Sequence, residues 1–586
     1  MLSDKKIKEI LQANKILDGA EIDKYLAQSE EKGEPLEKFL LSSNLISEDI
    51  LYNAAATFYS LPFVNLKNKS IDKEVLFLIP EPVASKYEIL AFAKDDQSLS
   101  LAMTDPDDVQ TIEFIKRKVQ LPLKLFVTTP SAISETVKQY HQNLEDELSN
   151  IRTKTGGKLS AEITEEEAKD GSKLQDMAKD LPVIRVVDTL LEYAIFEGAS
   201  DIHIEPMDKA VLIRYRIDGI LRDVMNLPKT LQDGLVARIK ILSNLKIDEH
   251  RLPQDGRFKI ENKDYKISFR VSIIPVYDGE KVVMRLLDEG KKVLTLEQLG
   301  LQPKVLDIVK ADLSKPNGII LVTGPTGSGK TTTLYTMMDI LNQPGVNIAT
   351  VEDPIEYRMP RINQSQVNPK IGFTFAVGLR ALLRQDPNII MVGEIRDRET
   401  AGIAVNAAMT GHLVLSTLHT NDAPTALPRL LDMGIEPFLV SSTTNMIMAQ
   451  RLVRKICPHC ITSYNLKKEE VERIEKEHGI NIAEISKTLT QSEPTTAAAK
   501  DFSSILFFKG KGCNKCGNNG YKGRIGIYEV LAMSEEVKDL VNSRADSDTI
   551  RAKAREQGML TMLEDGFLKA TAGVTTIEEI LRVTKE

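Results

Sequence analysis

Three hydrophobic rhythms follow one another along the chain. Over the first sixty residues apolar positions fall at helical spacing and repeat. Ile7, Ile10, Leu11, Ile16 and Leu17 recur 29 positions later as Leu36, Phe39, Leu40, Leu45 and Ile46. Each copy predicts a short helix, a polar turn and a second helix, so residues 1–66 form a helical repeat module. Over residues 67–143 short β-like runs, Glu88 to Ala93, Leu99 to Met103 and Leu123 to Thr128, alternate with helical ones, which predicts a small α/β module. Residues 144–178 are charged, nearly free of aromatics and rich in Gly, Ser and Thr. With little to bury, they read as a mobile linker.

A second α/β unit is expected over residues 179–290, with an amphipathic helix from Val183 to Glu197 and strands at Ile202 to Glu205, Ala210 to Ile217 and Tyr265 to Ile274. Over residues 291–586 the apolar runs GIILVTG, NIATVED, NIIMVGE and HLVLSTL alternate with helical segments, the pattern of a parallel sheet covered by helices. From Asp432 onward the chain reads as mainly helical, interrupted by a Cys-bearing region at 455–525. The fold class is multidomain α/β.

At roughly 100–200 residues per domain, 586 residues imply several cores. Hydrophobic residues at 42% and charged residues at 27% suffice to build them. The net charge of −8 offers no footprint for coating nucleic acid or an anionic membrane. With no Trp and 5% aromatics, base-stacking platforms are also unexpected. No apolar stretch approaches the roughly 18 residues of a membrane-spanning helix, and MLSDKKIKEI lacks a signal peptide's apolar centre. The cytoplasm is therefore expected.

Chemistry first shows at Gly324-Pro325-Thr326-Gly327-Ser328-Gly329-Lys330-Thr331, which fits G-x-x-x-x-G-K-[ST] between the strand-like Ile319 to Val322 and the helical TTTLYTMMDIL. Glycines let successive N–H groups turn inward around phosphate, Lys330 neutralises β/γ oxygens and the Thr331 hydroxyl reaches Mg²⁺. ATP hydrolysis also needs groups that orient water and stabilise charge. Three carboxylates, Glu352, Asp353 and Glu356, follow the next strand-like run, where ligands bind in open α/β sheets. The apolar run Asn388 to Val392 ends in Gly-Glu394, a Walker B-like arrangement that can hold Mg²⁺ or its water. His412 and His419 bracket another buried strand and are read as placed to sense phosphate.

The four Cys form two C-x-x-C pairs, Cys457/Cys460 and Cys513/Cys516, separated by 52 residues. In a reducing compartment two such knuckles supply four sulfurs for tetrahedral Zn²⁺, with a thiol redox pair or an Fe–S cluster as alternatives.

GPTGSGKT, TVEDPIEY, RALLRQDPNIIMVGEIRD and TGHLVLSTLHTNDA resemble the Walker A, Asp box, Walker B and His box of the secretion ATPase superfamily that drives type II secretion and type IV pili. The likeness runs from about Leu181 onward. It implies a RecA-like P-loop ATPase core behind a smaller, PAS-like α/β domain. It also implies Glu356 as the water-activating base, Glu394 as Mg²⁺ organiser, and His412 and His419 as links between nucleotide state and conformation. ASDIHIEP, RYRIDG, RLPQDGR and FRVSIIPVYDGEKVVMRLL resemble the domain whose arginines reach the γ-phosphate; the matching positions are Arg270 and Arg285, with Arg214, Arg216 and Arg257 behind them. Asp201, His203 and Glu205 share a strand face that could hold a metal, but the resemblance makes that stretch structural.

The tetracysteine element is similar to that of the assembly and secretion branches of the superfamily. The resemblance thus implies a homohexameric ATPase motor, peripheral to the inner membrane and acting on an integral platform protein to assemble type IV pili. Type II secretion is the near alternative. Domains would part about a hinge from Gly290 to Leu296. A DNA translocase and a non-hydrolysing nucleotide-gated scaffold remain as rivals; no nucleic-acid partner is expected. The N-terminal repeat resembles the MshEN-like module that in some relatives binds cyclic di-GMP. Glu31-Lys32 stands where that pattern has Arg-Leu, and Asn44 where it has Gly, so cyclic di-GMP binding is not expected.

Overall fold

The computed structural model describes residues 2, 4–32, 35–79, 81–140, 181–261, 266–290, 293–478, 485 and 505–585. The linker expected at 144–178 and part of the hinge expected at Gly290 to Leu296 lie outside these. The chain divides into two compact units, Met1–Leu287 and Asp288–Glu586.

In the first unit, helices α1 (Asp4–Ala13), α2 (Gly19–Lys32), α3 (Leu36–Ser42) and α4 (Glu48–Phe58) realise the repeat. Its equivalence extends to individual hydrogen bonds. Lys15 and Asn44, 29 positions apart, both take left-handed backbone (φ 54° and 53°). The main chain closes α1 through Lys15 N to Gln12 O and Ile16 N to Leu11 O. It closes α3 through Asn44 N to Leu41 O and Leu45 N to Leu40 O. Asp18 accepts from Glu21 N (2.8 Å) and Ser47 from Ile50 N (3.3 Å), each capping the helix that follows.

Strands β1 (Ile89–Lys94), β2 (Leu99–Met103) and β3 (Leu123–Val127) form a mixed sheet, β1 and β2 antiparallel and β2 and β3 parallel. The unit continues through the helix Leu181–Phe196 into β4 (Asp201–Pro206), β5 (Ala210–Ile217), β6 (Ile220–Pro228), β7 (Gln254–Glu261), β8 (Lys266–Val276) and β9 (Gly279–Asp288). The sheet order is β6-β5-β4-β9-β8-β7. Ile267, Phe269, Val271 and Ile273 alternate inward along β8, as one-sided burial requires. The sequence reading separates residues 67–143 from 179–290; their described residues share one hydrophobic core from Leu66 to Met284. Phe196 packs on Tyr87 and Phe114 across the join.

The second unit is built on β10 (Gly318–Thr323), β11 (Ile348–Glu352), β12 (Ile362–Gln366), β13 (Ile389–Val392), β14 (Leu413–Leu418), β15 (Thr444–Ile456) and, after the hairpin β16 (Ile461–Asn465) and β17 (Leu506–Gly510), β18 (Tyr521–Ala532). The order β12-β11-β13-β14-β10-β15-β18 is parallel up to β15; β18 pairs antiparallel at the edge. Strands β10, β11, β13 and β14 are buried at every position, because helices cover both faces.

After Asp432 helices remain the larger part of the regular structure among the described residues, but two long strands stand where helix was expected. TNMIMAQRLVRKI is a 13-residue strand and YKGRIGIYEVLA another. Apolar residues buried on both sides of a strand lose the alternation that distinguishes it from a buried helix.

Candidate active site and tetracysteine element

Four functional segments follow the C-terminal ends of neighbouring strands: the phosphate loop after β10, Glu352 closing β11, Glu394 beyond β13 and His419 beyond β14. The topology thus gathers them on one edge of the sheet. Loop residues 324–329 join β10 to the helix Lys330–Leu341. Gly324 (φ 142°) is mandatory on two counts, since a Cβ there would also stand 2.5 Å from the main-chain oxygen of Gln450. Gly329 (φ 91°) is the left-handed cap of the helix. Lys330 curls over its own loop, its Nζ donating to Gly324 O (2.8 Å) and Pro325 O (3.0 Å). Burial lowers its pKa, opposed by the Glu394 carboxylate.

Glu394 is 12% exposed and engaged by two side chains, the guanidinium of Arg396 (Nη2 at 2.6 Å) and the imidazole of His419 (Nε2 at 3.2 Å). The end of β10 is tied to the His419 loop, for Thr323 Oγ1 accepts from Thr420 N (2.9 Å) and faces Thr420 O (2.9 Å). His412 lies elsewhere. In the register of β10 against β14, Gly318 pairs with Leu413 and Thr323 with Leu418, so His412 precedes the strand at the edge opposite the phosphate loop. There its Nδ1 donates to Ala407 O (2.9 Å), at the end of the helix Arg398–Met409. The reading that both histidines sense phosphate is corrected within this chain: the full length of β14, at about 3.3 Å per residue, stands between them.

The three carboxylates after β11 also part company. Glu352 is buried, accepts from Tyr335 Oη, Thr350 Oγ1 (2.5 Å) and Gln364 Nε2 (3.2 Å), and its pKa is raised by burial. Asp353 is exposed and Glu356 half-buried. Tyr335, on the helix behind the phosphate loop, also accepts from Glu356 N (3.4 Å), so the loop that carries Glu356 is hung on the phosphate-binding helix. Neither Tyr335 nor Arg396 was legible as a site residue: one hides in a helical run and the other lies two residues beyond Glu394.

Arg270 and Arg285 lie in the first unit, on β8 and β9. Arg285, 54% exposed, donates through Nε to Asp201 Oδ1 (3.0 Å), its cross-strand neighbour. Asp201 also faces Arg216 (3.5 Å), and Glu205 is held by Arg214 (2.9 Å) and Lys281 (2.8 Å). Cations rather than a metal therefore occupy the Asp201, His203, Glu205 face. Arg257 stands beside Arg270 in the register of β7 and β8.

Cys457 follows β15 and Cys460 precedes β16; Cys513 and Cys516 lie between β17 and β18. The hairpin β16/β17 brings the pairs together, and its register closes on Ile461 opposite Gly510. Each pair forms the same turn, Cys460 N to Cys457 O (3.3 Å) and Cys516 N to Cys513 O (3.1 Å). Gly510 and Gly520 pack back to back, where a Cβ on Gly510 would meet Gly520 O at 2.2 Å. The sulfurs stand 3.8 Å (Cys457 to Cys513), 3.9 Å (Cys460 to Cys516) and 3.7 Å (Cys513 to Cys516) apart, all four within 4.8 Å of one another. Four thiolates about 2.3 Å from a tetrahedral metal would be roughly 3.8 Å apart, so the donor set fits Zn²⁺. Disulfide sulfurs would be about 2.05 Å apart. Cys513 N and Gly520 N point at Cys516 Sγ (3.2 and 3.3 Å), donors that stabilise a thiolate.

The profile of the family described as "Type II/IV secretion system protein" matches residues 176–582, and that of the MshEN domain residues 59–147. The second match falls mainly on the small α/β module, beyond most of the helical repeat to which the sequence reading assigned the likeness. The chain is 38% identical over 574 residues to the type IV pilus assembly ATPase PilB of Myxococcus xanthus, covering 98% of each chain. It is 42% identical over 467 residues to the type II secretion system protein E of Pseudomonas aeruginosa, covering 80% of this chain and 88% of that one. Among solved structures it is similar to the pilus retraction motor PilT with bound ADP, at 26% identity and a TM-score of 0.46, over 68% of this chain and 97% of that chain.

Proposed function

The chain belongs to the type II/IV secretion system protein family and is an ATPase; from that premise we propose that it is the hexameric motor of type IV pilus assembly. The observation that carries this reading is full-length correspondence, 98% of each chain, with a pilus assembly ATPase, where the cited type II relative reaches 80% of this chain. In this reading ATP binds with its phosphates in the loop 324–329, against Lys330. Thr331 and Glu394 are the groups that would hold Mg²⁺, which neutralises charge on the transferring phosphoryl group. Glu356 orients the attacking water, and its suspension from Tyr335 gives it a fixed relation to the phosphate-binding helix. Arg270 and Arg285 supply positive charge from the first unit, and assembly into a homohexamer completes the site. His419, paired with Glu394, reports nucleotide state to the strand edge. Cys457, Cys460, Cys513 and Cys516 hold one structural Zn²⁺.

The motor works at the cytoplasmic face of the inner membrane, through an integral platform protein. Among the described residues no helix is long and apolar enough to cross a membrane, which fits indirect attachment. The N-terminal module docks to that partner. Asn44 occupies a left-handed position that suits Gly, and its side chain adds bulk where a dinucleotide would need backbone approach. The side chains of Glu31 and Lys32 lie outside the described residues. Calorimetry on the full-length protein should find no cyclic di-GMP binding at micromolar concentration; a micromolar dissociation constant would replace docking with direct regulation.

Type II secretion stays as the second reading, because local identity to the type II protein, 42%, exceeds the 38% to the pilus protein. Deletion of the gene in its host separates the two: loss of surface pili with secreted enzymes intact supports assembly, and the converse pattern overturns it.

A further inference from the structure

One buried polar side chain follows the apolar stretch Met446 to Ala449 of β15 and has no role in the scheme above. Gln450 is 1% exposed. In the register of β10 against β15, Ala449 lies opposite Thr323, so Gln450 comes level with the point where β10 turns into the phosphate loop. A buried amide is costly unless both ends are bonded. Here both are: Nε2 donates to Ser328 O (2.6 Å) and Oε1 accepts from Thr333 Oγ1 (2.7 Å). The Ser328 carbonyl, which can only accept, fixes which end of the amide faces the loop, and the Thr333 hydroxyl donates to the other end. The same residue lies against two of the three glycines that shape the loop. Its main-chain oxygen would be 2.5 Å from a Cβ on Gly324, and its Nε2 would be 3.1 Å from one on Gly329.

A phosphate nest works because its N–H groups point inward, which obliges the carbonyls to point outward. In a trans peptide the C=O and the following N–H point in opposite directions. Anchoring the Ser328 carbonyl outward therefore aims the Gly329 N–H inward. The bonds from Lys330 to Gly324 O and Pro325 O come from a cation that a phosphate would draw away. The bond from Gln450 uses a neutral amide on the far side of the loop, and the ligand does not compete for it. We propose that Gln450 is a positioning residue for nucleotide binding: it holds the Ser328–Gly329 peptide in its phosphate-accepting orientation from the neighbouring strand.

The test uses the full-length protein with Gln450→Glu, Gln450→Met and Thr333→Val. Gln450→Glu keeps the shape but sets a carboxylate oxygen against the Ser328 carbonyl; Gln450→Met removes the bond without adding charge. The dissociation constant for MgADP and the KM for MgATP should rise about tenfold or more in Gln450→Glu and several-fold in Gln450→Met, as expected for a lost buried hydrogen bond. The kcat at saturating MgATP should stay within about threefold. Thr333→Val should shift both constants in the same direction by less, and it serves as the probe if either Gln450 variant fails to fold. A purely structural residue would lower the melting temperature and the active fraction while leaving KM and the MgADP dissociation constant untouched. Unchanged nucleotide constants in the folded variants would overturn the proposal.

Discussion

The phosphate loop and the tetracysteine element hang on the same strand. β15 passes beneath the loop at Gln450 and reaches the first metal-type ligand, Cys457, seven residues later. Their construction is opposite. At one end the candidate recognising groups are main-chain N–H donors, their direction set by the loop's glycines and a buried amide. At the other end four side chains converge, three of their S···S spacings at 3.7–3.9 Å and all within 4.8 Å. A site built from backbone stays open to a ligand that comes and goes. A site built from converging thiolates is complete with one ion and becomes part of the fold.

The largest effect should come from the two arginines proposed to complete the open site. Arg270→Ala and Arg285→Ala should each reduce kcat by about 10³ to 10⁵ while nucleotide still binds, the range for arginines that stabilise transferring phosphoryl charge. Phosphate release and fluorescent-nucleotide binding on the assembled protein measure the two quantities. Normal turnover in both variants would show that the site is complete without them. Glu356→Gln should hold ATP uncleaved by a comparable factor, read by single-turnover hydrolysis, and normal hydrolysis would move the base elsewhere.

Lys330→Ala acts on binding itself. Loss of a charged hydrogen-bond donor is worth about 1.5–3 kcal/mol, so nucleotide affinity should fall by roughly 10- to 100-fold. Cys513→Ser addresses the closed site. Metal analysis should fall from one Zn²⁺ per chain to none, and hydrogen exchange should rise between Arg454 and Tyr528 before nucleotide affinity changes. Loss of ATP binding as the first symptom would erase the contrast between the two ends of β15.

The smallest effect concerns Glu529 on β18, which accepts from Ala423 N (2.9 Å) just beyond the His419 loop. Burial pushes its carboxyl up to about 7, with Asp422 adding to the rise while the Ala423 N–H, Arg551 and the Met562 N–H oppose it. Arg551 is itself paired with Asp422 (2.8 Å). A carboxyl with a raised folded pKa binds its proton more tightly in the folded state. Its contribution therefore costs stability as pH rises from about 4.5 to about 7, and the cost is complete above that. Glu529→Gln should raise the melting temperature by a few degrees at pH 8, for on the order of 2 kcal/mol. The gain should vanish near pH 4.5; the same gain at both pH values would mean that the carboxyl does not titrate there.

How much was legible before folding depended on how far apart the partners lie in the chain. The phosphate loop was readable because every group it needs, from Gly324 to Thr331, is local and its spacing is dictated by the turn. The Cys pairs were readable for the same reason. So was the N-terminal repeat, whose 29-residue period reappears as matched left-handed residues at Lys15 and Asn44. Strand β15 was misread because burial on two sides erases the period of two.

The sequence by itself determined the identity of the chemistry: a phosphate nest, acids after strands and two thiol knuckles, each fixed by short-range stereochemistry. Only the tertiary structure decided which residues meet. Strand register sent His412 to the far edge and His419 to Glu394, and parallel pairing of β10 with β15 put Gln450 under a loop more than a hundred residues earlier. The physical reason is that side-chain periodicity records which face is buried but carries no information about what lies across it. Neighbours such as Gln450 and Ser328 are chosen by sheet order, a property of the whole chain.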